Sequence, residues 1–391
     1  MKDMITKSFS EVFDLSLGRT PSRGNNLYWN GIHPWVSIAD MSNVKYISQT
    51  KEKITDKALS DTHIPIVKKG TVIMSFKLTI GKVCITDCDI YTNEAIMAFT
   101  PKPQYKILPE FLFYYLMYYK WDKSNEVVLG CTLNKKSISQ SLLSYPSSLA
   151  EQQRIVEILD AGFAKIDALR ANATKSLQAA KDLFQSALKQ ELQPKEGWVK
   201  SRLNDLYDVR DGTHDSPRYC PEGYPLVTSK NLKNGIIDIS NVKFISYKDY
   251  IKINERSKVN IGDVLFAMIG TIGNPTLVAE EPNYAIKNIA LFKVPQQQSG
   301  ALLKYILSSN VILREMHKKA KGSNQPFVSL GFLRNFKISI PISLAEQTRI
   351  VSRLDQLNER CKTLQENYDR TITLCEDLKQ ALLRKAFNGE L

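Results

Sequence analysis

Residues 147–160 read SSLAEQQRIVEILD and residues 342–355 read ISLAEQTRIVSRLD, so one pattern occurs twice, 195 positions apart. In a chain of 391 residues that offset is half the length, and it makes the chain a tandem duplication. The correspondence continues at the same offset. Ile155 matches Ile350, Leu159 matches Leu354, Leu177 matches Ile372, and Asp182-Leu183 matches Asp377-Leu378. Each half is therefore expected to end in an equivalent long helix.

The residues say why a helix starts there. Ser148 stands three positions before Glu151, and Ser343 three before Glu346. In such a capping box the serine accepts from the third helical N–H while the glutamate reaches back to the cap. Pro146 and Pro341 keep the approaching chain extended. The helices then run without proline, and only Gly162 interrupts the first. Apolar residues recur at steps of three and four: Ile155, Leu159, Ile166, Leu169, Ala173, Leu177, Ala180, Phe184 and Leu188 in the first copy. In the second they are Ile350, Leu354, Leu357, Cys361, Leu364, Tyr368, Ile372, Cys375 and Leu382. This spacing predicts a coiled-coil seam. Both copies take an extra step of four at one place, Ala173 to Leu177 and Tyr368 to Ile372, a stutter that locally unwinds a supercoil. A shared defect points to a shared partner surface. Two amphipathic helices packed separately on their own domains would show the same spacing.

The composition, 43% apolar and 24% charged, fits two globular domains in a chain of this length. No apolar run approaches the roughly 20 residues needed to span a membrane. The N-terminus, from Met1 to Lys7, lacks the apolar core of a signal peptide, and a cytoplasmic location is expected. The six cysteines, Cys84, Cys88, Cys131, Cys220, Cys361 and Cys375, show no C-x-x-C pairing, so reduced thiols are expected.

The net charge of +13 becomes informative once divided. Residues 149–193 carry six basic and six acidic side chains, and residues 344–391 carry eight of each, so both helices are neutral. Residues 1–148 carry eighteen basic against thirteen acidic, and residues 199–343 twenty against twelve. All of the excess lies on the globular parts, which suits a polyanion whose phosphates supply affinity. Basic surfaces also occur without nucleic acid, so charge alone leaves the partner open.

Each globular segment opens with a short amphipathic piece and a glycine turn, and Asp14 and Gly18 match Asp208 and Gly212. Residues 70–82 match residues 262–274, a buried strand of branched and aromatic residues that ends in a Thr-Ile-Gly turn. Asn93 and Asn288 head the next apolar strands, which close at Pro101 and Pro295. One amphipathic helix is expected in each domain, near Pro109 to Tyr119 and near Leu302 to Lys318. The fold class is α+β, two duplicated domains with mostly antiparallel sheets.

Gly18 to Ser22, Tyr28-Trp29, Gly31-Ile32, Pro34-Trp35-Val36, Ile38 and Asp40-Met41, then a Thr-Ile-Gly turn and S-L-x-E-Q-x-R-I-V, stand in an order that resembles the specificity subunit of type I restriction-modification systems. The second half resembles the same family through Asp211 to His214, Pro217, Tyr219, Gly223-Tyr224-Pro225 and Ser229 to Leu232. The resemblance covers essentially the whole chain. Residues 45–66 and 247–258 follow no assignable pattern, and such a family would vary its target sequence there.

The resemblance implies two target recognition domains, residues 1–148 and 196–343, each reading one half of a split double-stranded DNA sequence. It implies two spacer helices, residues 149–195 and 344–391, packed antiparallel as a ruler, and a helix of about 45 residues spans about 67 Å. It also implies two methyltransferase subunits on the helical pair and an endonuclease/translocase subunit joining them. S-adenosylmethionine, Mg and ATP would belong to those partners, with no cofactor, metal or catalytic residue on this chain and no membrane. In keeping with this, the sequence lacks N/D-P-P-Y/F/W, the nearest run being Asn274-Pro275-Thr276. It lacks a phosphate loop, Gly81-Lys82 being followed by Val83, and it has no Glu-x-Lys. The histidines, His33, His63, His214 and His317, have neither H-E-x-x-H nor zinc-finger spacing.

Candidate DNA contacts fall in three groups. Arg19, Ser22, Arg23 and Asn25 form a polar, glycine-bounded loop, as do Arg210, His214, Ser216 and Arg218, and arginine is the side chain best fitted to guanine's major-groove edge. A solvated surface turn has the same composition. Lys77, Thr79 and Lys82 flank the first Thr-Ile-Gly turn, while Lys230, Asn231, Asn274 and Lys287 fall in equivalent stretches of the second domain. Some of these are expected on phosphates, which position without specifying. The loops Gly130 to Asn134 and Lys321 to Gln325 resemble the family's glycine-containing loop before the capped helix. Trp29, Trp35 and Tyr224 are expected in the core. A stand-alone DNA-binding regulator with duplicated domains, or a coiled-coil adaptor, would fit the duplication and the charge as well.

Overall fold

The structure, a computed structural model, describes residues 4–42, 44–121, 133–322 and 325–391. It divides into two compact units, residues 1–173 with 370–391, and residues 174–369. The divisions fall at the four-residue steps that both helices share.

In the first unit a five-stranded sheet runs in the order Phe13–Leu17, Ile96–Pro101, Val72–Ser75, Val83–Thr86 and Tyr46–Ile47. Only the last pairing is parallel. Its central strand shows why an unbroken apolar run is required. Val72 and Met74 join a core with Phe13, Phe99 and Phe111, while Ile73, between them, joins a second core with Val36, Ile47 and Cys84. Successive side chains of a strand point to opposite faces, so this sheet is buried on both. The second unit repeats the arrangement in the order Asp208–Asp211, Ile289–Lys293, Val264–Ala267 and Gly273–Leu277. There Val264 and Phe266 face one core, and Leu265 and Ala267 the other.

The glycines matched between the halves sit where backbones touch. A Cβ on Gly18 would lie 2.0 Å from the Thr92 carbonyl oxygen, and one on Gly212 would lie 2.2 Å from that of Ile286.

Each domain also pairs its first strand with its last: Met4–Ser8 with Leu142–Pro146, and Trp198–Arg202 with Lys337–Pro341. These pairs were not legible from alternation, and they deliver the chain to each long helix. Two expectations change. Residues 302–318 form not one helix but two, Gly300–Ser308 and Asn310–Lys319, and Gln185 spans the break, accepting from the Asn310 N–H at 3.0 Å. The unassigned segments become ordered elements. Residues 45–66 contain the helix Asp56–Thr62, capped by Thr55, and residues 247–258 contain the helix Tyr247–Ser257, capped by Ser246.

The long helices are Leu149–Glu191 and Leu344–Asn388. Ser343 Oγ accepts from the Glu346 N–H at 3.4 Å, but the predicted reach of the glutamates back to the caps is replaced. Glu151 takes both ends of Arg154 at 2.8 and 2.9 Å, and Glu346 takes Arg349 at 2.6 and 2.7 Å. The neighbouring glutamines anchor the helices instead, and both are fully buried. Gln152 accepts from the Leu108 N–H at 2.9 Å and donates to the carbonyls of Lys106 and Pro146 at 3.1 and 3.0 Å. Gln347 accepts from the Ser299 N–H at 2.8 Å and donates to Gln298 Oε1 and the Pro341 carbonyl at 3.0 and 2.9 Å. Two turns on, Tyr114 donates to Asp160 and Tyr305 to Asp355.

Within the first unit the helices run antiparallel. Asp167 meets Lys379 at 2.5 Å and Arg170 meets Glu376 at 2.7 Å, while a Cβ on Gly162 would lie 2.4 Å from Leu382 Cδ2. Gly162 thus allows close approach. The predicted seam is corrected at one matched pair: Leu169 and Leu364 are 46% and 40% exposed and lie off it. Among the described residues, no helix is long and apolar enough to cross a membrane.

Candidate nucleic-acid interface

In the first domain the predicted polar loop is held from within. Arg19 Nη1 donates to the Thr62 carbonyl at 2.7 Å, and its own carbonyl accepts from Trp35 Nε1 at 3.1 Å. Ser22 offers its carbonyl to the Asn25 N–H and to Trp29 Nε1, each at 3.2 Å. Asn25 caps a single turn, accepting from the Leu27 N–H at 3.1 Å. Arg23 is the most committed. Its guanidinium forms a two-pronged pair with Glu52 and lies 4.0 Å from the centre of the Trp29 ring, and Glu52 holds its pKa above the usual value. A base contact by Arg23 therefore has an intramolecular competitor. Trp35 is core, as expected, and Trp29 packs edge-on to it at 5.2 Å while remaining half-buried.

At the Thr-Ile-Gly turn the three predicted residues separate. Lys82 is internal, its Nζ donating to the Ile38 carbonyl at 3.1 Å and to Ser42 Oγ at 2.7 Å. Lys77 and Thr79 stay at the tip, where the Thr79 carbonyl accepts from Ser75 Oγ at 2.5 Å.

In the second domain buried Asp211 organises the loop. It pairs with Arg256, and its Oδ2 lies 2.8 Å from His214 Nε2, while His214 Nδ1 lies 2.8 Å from Asn288 Oδ1. Arg210 Nε donates to Asp208 at 2.8 Å and its Nη1 to the Arg256 carbonyl at 3.0 Å. Asn231 spends its amide on Thr228 and on the Asp238 carbonyl, and Asn274 Nδ2 donates to the Leu232 carbonyl at 2.9 Å. These side chains hold loops. Arg218 is exposed and carries no ion pair among the described residues.

Of the remaining predicted residues, Lys230 and Lys287 meet in one cleft of about 580 Å³. Lys230, Lys243 and Lys287 line it with Asn241, Asn288, Thr271 and Gln325, and no carboxylate does. Lys287 Nζ donates to Ser216 Oγ at 2.5 Å, and the Lys243 ammonium stands 4.2 Å from the centre of the Tyr219 ring. Three ammonium groups suit phosphate oxygens. Amides beside them can donate and accept at base edges. Lys243, Asn241 and Thr271 escaped the sequence reading, although Thr271 lies inside the matched turn, whereas Gln325 closes the predicted loop Lys321 to Gln325. Tyr224, predicted as core, is half-buried and stacks on Tyr250 at 4.1 Å. Of the two glycine-containing loops, residues 130–132 and 323–324 lie outside the described residues. No cluster of three metal-ligating side chains occurs among the described residues.

Comparison with known proteins identifies the family. The chain is 26% identical over 427 residues to the type I restriction enzyme MjaIX specificity subunit of Methanocaldococcus jannaschii, a match covering all of this chain and 94% of that one. It is 26% identical over 288 residues to the EcoBI specificity subunit of Escherichia coli, covering 66% of this chain and 60% of that one. Two solved structures share the fold at 19% identity. One, from work on complex assembly and conformational transition of the type I R-M system, has a TM-score of 0.79 and is covered to 99%. The other, the HsdS subunit from Thermoanaerobacter tengcongensis, has a TM-score of 0.58 and is covered to 98%; both matches span all of this chain. The family model for the type I restriction modification DNA specificity domain matches residues 1–178 and again residues 195–374. With one copy in each half, the chain belongs to the family of type I restriction-modification DNA specificity subunits.

Proposed function

We propose that each domain reads one half of a bipartite double-stranded DNA sequence and that the paired long helices set the spacing between the halves. The duplication carries this reading, because two copies of one DNA specificity domain, each followed by an equivalent helix, match a target read twice. In the second domain the candidate contacts are Lys230, Lys243 and Lys287 for phosphate, with Asn241, Thr271 and Gln325 for bases. In the first they are Lys77 and Thr79. Arg19, Ser22, Arg23, Asn25, Lys82, Arg210, His214, Ser216, Asn231 and Asn274 support these positions, and Arg218 reaches the backbone.

The chain is then a recognition subunit, and chemistry resides on its partners in the cytoplasm. Two methyltransferase subunits bring S-adenosylmethionine, and an endonuclease/translocase subunit brings Mg and ATP. Matched leucines support docking on the helices, since Leu169 and Leu364, like Leu183 and Leu378, are all at least 40% exposed. Sequencing the host methylome with and without the gene tests the reading. One split adenine-methylated sequence should vanish with the gene. Exchanging residues 1–148 for the equivalent domain of a relative should then change one half-site alone. A folded, active exchange that alters both halves, or neither, overturns it.

A further inference from the structure

The tip of the turn between Val72–Ser75 and Val83–Thr86 carries a residue that nothing among the described residues explains. Leu78 has a φ of +63° and is 96% exposed. Left-handed backbone is disfavoured for any residue with a Cβ, and leucine, unlike asparagine, has no local hydrogen bond to offset it. The second domain shows what the turn itself requires: at the matching position stands Gly270, with a φ of +77°. Glycine supplies that conformation without strain. An isolated exposed leucine is ordinary, so the backbone conformation carries the weight here. Leucine serves this turn worse than glycine in both backbone and solvation.

The turn is also rigid. The Gly81 N–H donates to the Ser75 carbonyl at 2.9 Å, Ser75 Oγ accepts from the Lys82 N–H at 3.1 Å, and Ser75 Oγ donates to the Thr79 carbonyl at 2.5 Å. Leu78 is thus held outward between Lys77 and Thr79, and residues 70–86 contain no carboxylate. A basic tip that presents one apolar side chain fits a polyanion with an apolar feature at its surface. In the DNA major groove that feature is the thymine C5 methyl.

We propose that Leu78 is a specificity-determining residue of the first domain and packs on a thymine methyl in its half-site. This rests on the reading of that domain as a DNA reader. The test uses the full chain assembled with its methyltransferase subunits, on duplexes carrying the methylome-defined site. Leu78→Gly should leave assembly and the thermal midpoint unchanged or higher, because it adopts the second domain's solution. It should slow methylation of the wild-type site by about tenfold, the scale of a lost methyl contact, and relax one A·T position of the first half-site. Replacing first-half thymines by 2′-deoxyuridine should slow the wild type similarly and leave Leu78→Gly unmoved. The same replacement in the second half-site should affect both proteins alike. The proposal falls if Leu78→Gly keeps the wild-type rate and consensus, if the wild type ignores deoxyuridine in the first half, or if that half contains no thymine. A wild-type complex that methylates no bipartite sequence overturns the DNA-reading assignment itself, and this proposal with it.

Discussion

Replacing Gln152 by leucine should loosen the first long helix from its domain, and the size of the effect can be worked from three contacts. Gln152 is fully buried and makes hydrogen bonds of 2.9, 3.1 and 3.0 Å to backbone groups of Leu108, Lys106 and Pro146. Losing each leaves a buried backbone group unpaired at a cost of ~1–3 kcal/mol, and at about 1.5 kcal/mol apiece the three come to roughly 4.5 kcal/mol. Leucine recovers about 1–2 kcal/mol of apolar burial. The net loss is about 3 kcal/mol, and with a urea slope of about 2–3 kcal/mol/M the unfolding midpoint should fall by roughly 1 M. Tryptophan fluorescence is the right assay, because Trp29, Trp35 and Trp121 lie in the first unit and Trp198 alone in the second. Gln152→Glu should sharpen the result. It keeps the acceptor for Leu108 but turns an oxygen toward two carbonyls, so burial raises the carboxyl's folded pKa above its unfolded value of about 4.3. The folded state then holds the proton more tightly, so the variant is most stable below about pH 4 and loses stability as pH rises through the folded value. A Gln152→Leu midpoint within about 0.2 M of wild type, near the scatter of such measurements, would refute the anchor.

Three further outcomes are expected. Inserting seven residues after both Ala173 and Tyr368 lengthens each helix by about 10 Å, so the spacer in the methylated sequence should grow by roughly three base pairs; an active double insertion with the original spacing would leave the helices as a docking surface only. Leu169→Glu with Leu364→Glu should abolish co-purification of the methyltransferase subunits while circular dichroism stays unchanged, since both side chains are exposed and lie off the seam. Glu11 is held down to about 2 by the Ser8 backbone N–H, the Ser8 hydroxyl and Lys7. That depressed value contributes stability above the usual carboxylate pKa of about 4.3, which is lost as pH falls toward 2. Glu11→Gln should therefore flatten the acid limb of first-domain unfolding, and an identical limb would count against the assignment.

Features set by local pattern were legible in the sequence alone. The duplication, the start of each long helix, the strands buried on both faces and the glycine turns all depend on spacing along one chain. The family was legible for the same reason, because S-L-x-E-Q-x-R-I-V combines an exposed ion pair, a buried glutamine and a core stripe within one stretch of helix. Even there the roles differed from expectation: Glu151 pairs with Arg154, and the anchor is Gln152, whose partners lie 44 and 46 positions away and at Pro146. The polar contacts were decided by tertiary structure. Arg23 and Arg218 look alike in sequence, and only the fold brings Glu52 onto the first. His214, Asn231 and Asn274 have the composition of a DNA-reading loop, yet each is satisfied by groups from elsewhere in the chain. Lys243, on a short strand with no motif around it, joins Lys230 and Lys287 only after the sheet forms. Hydrophobic period is a property of neighbours in sequence, whereas whether a donor is spent or free depends on neighbours in space.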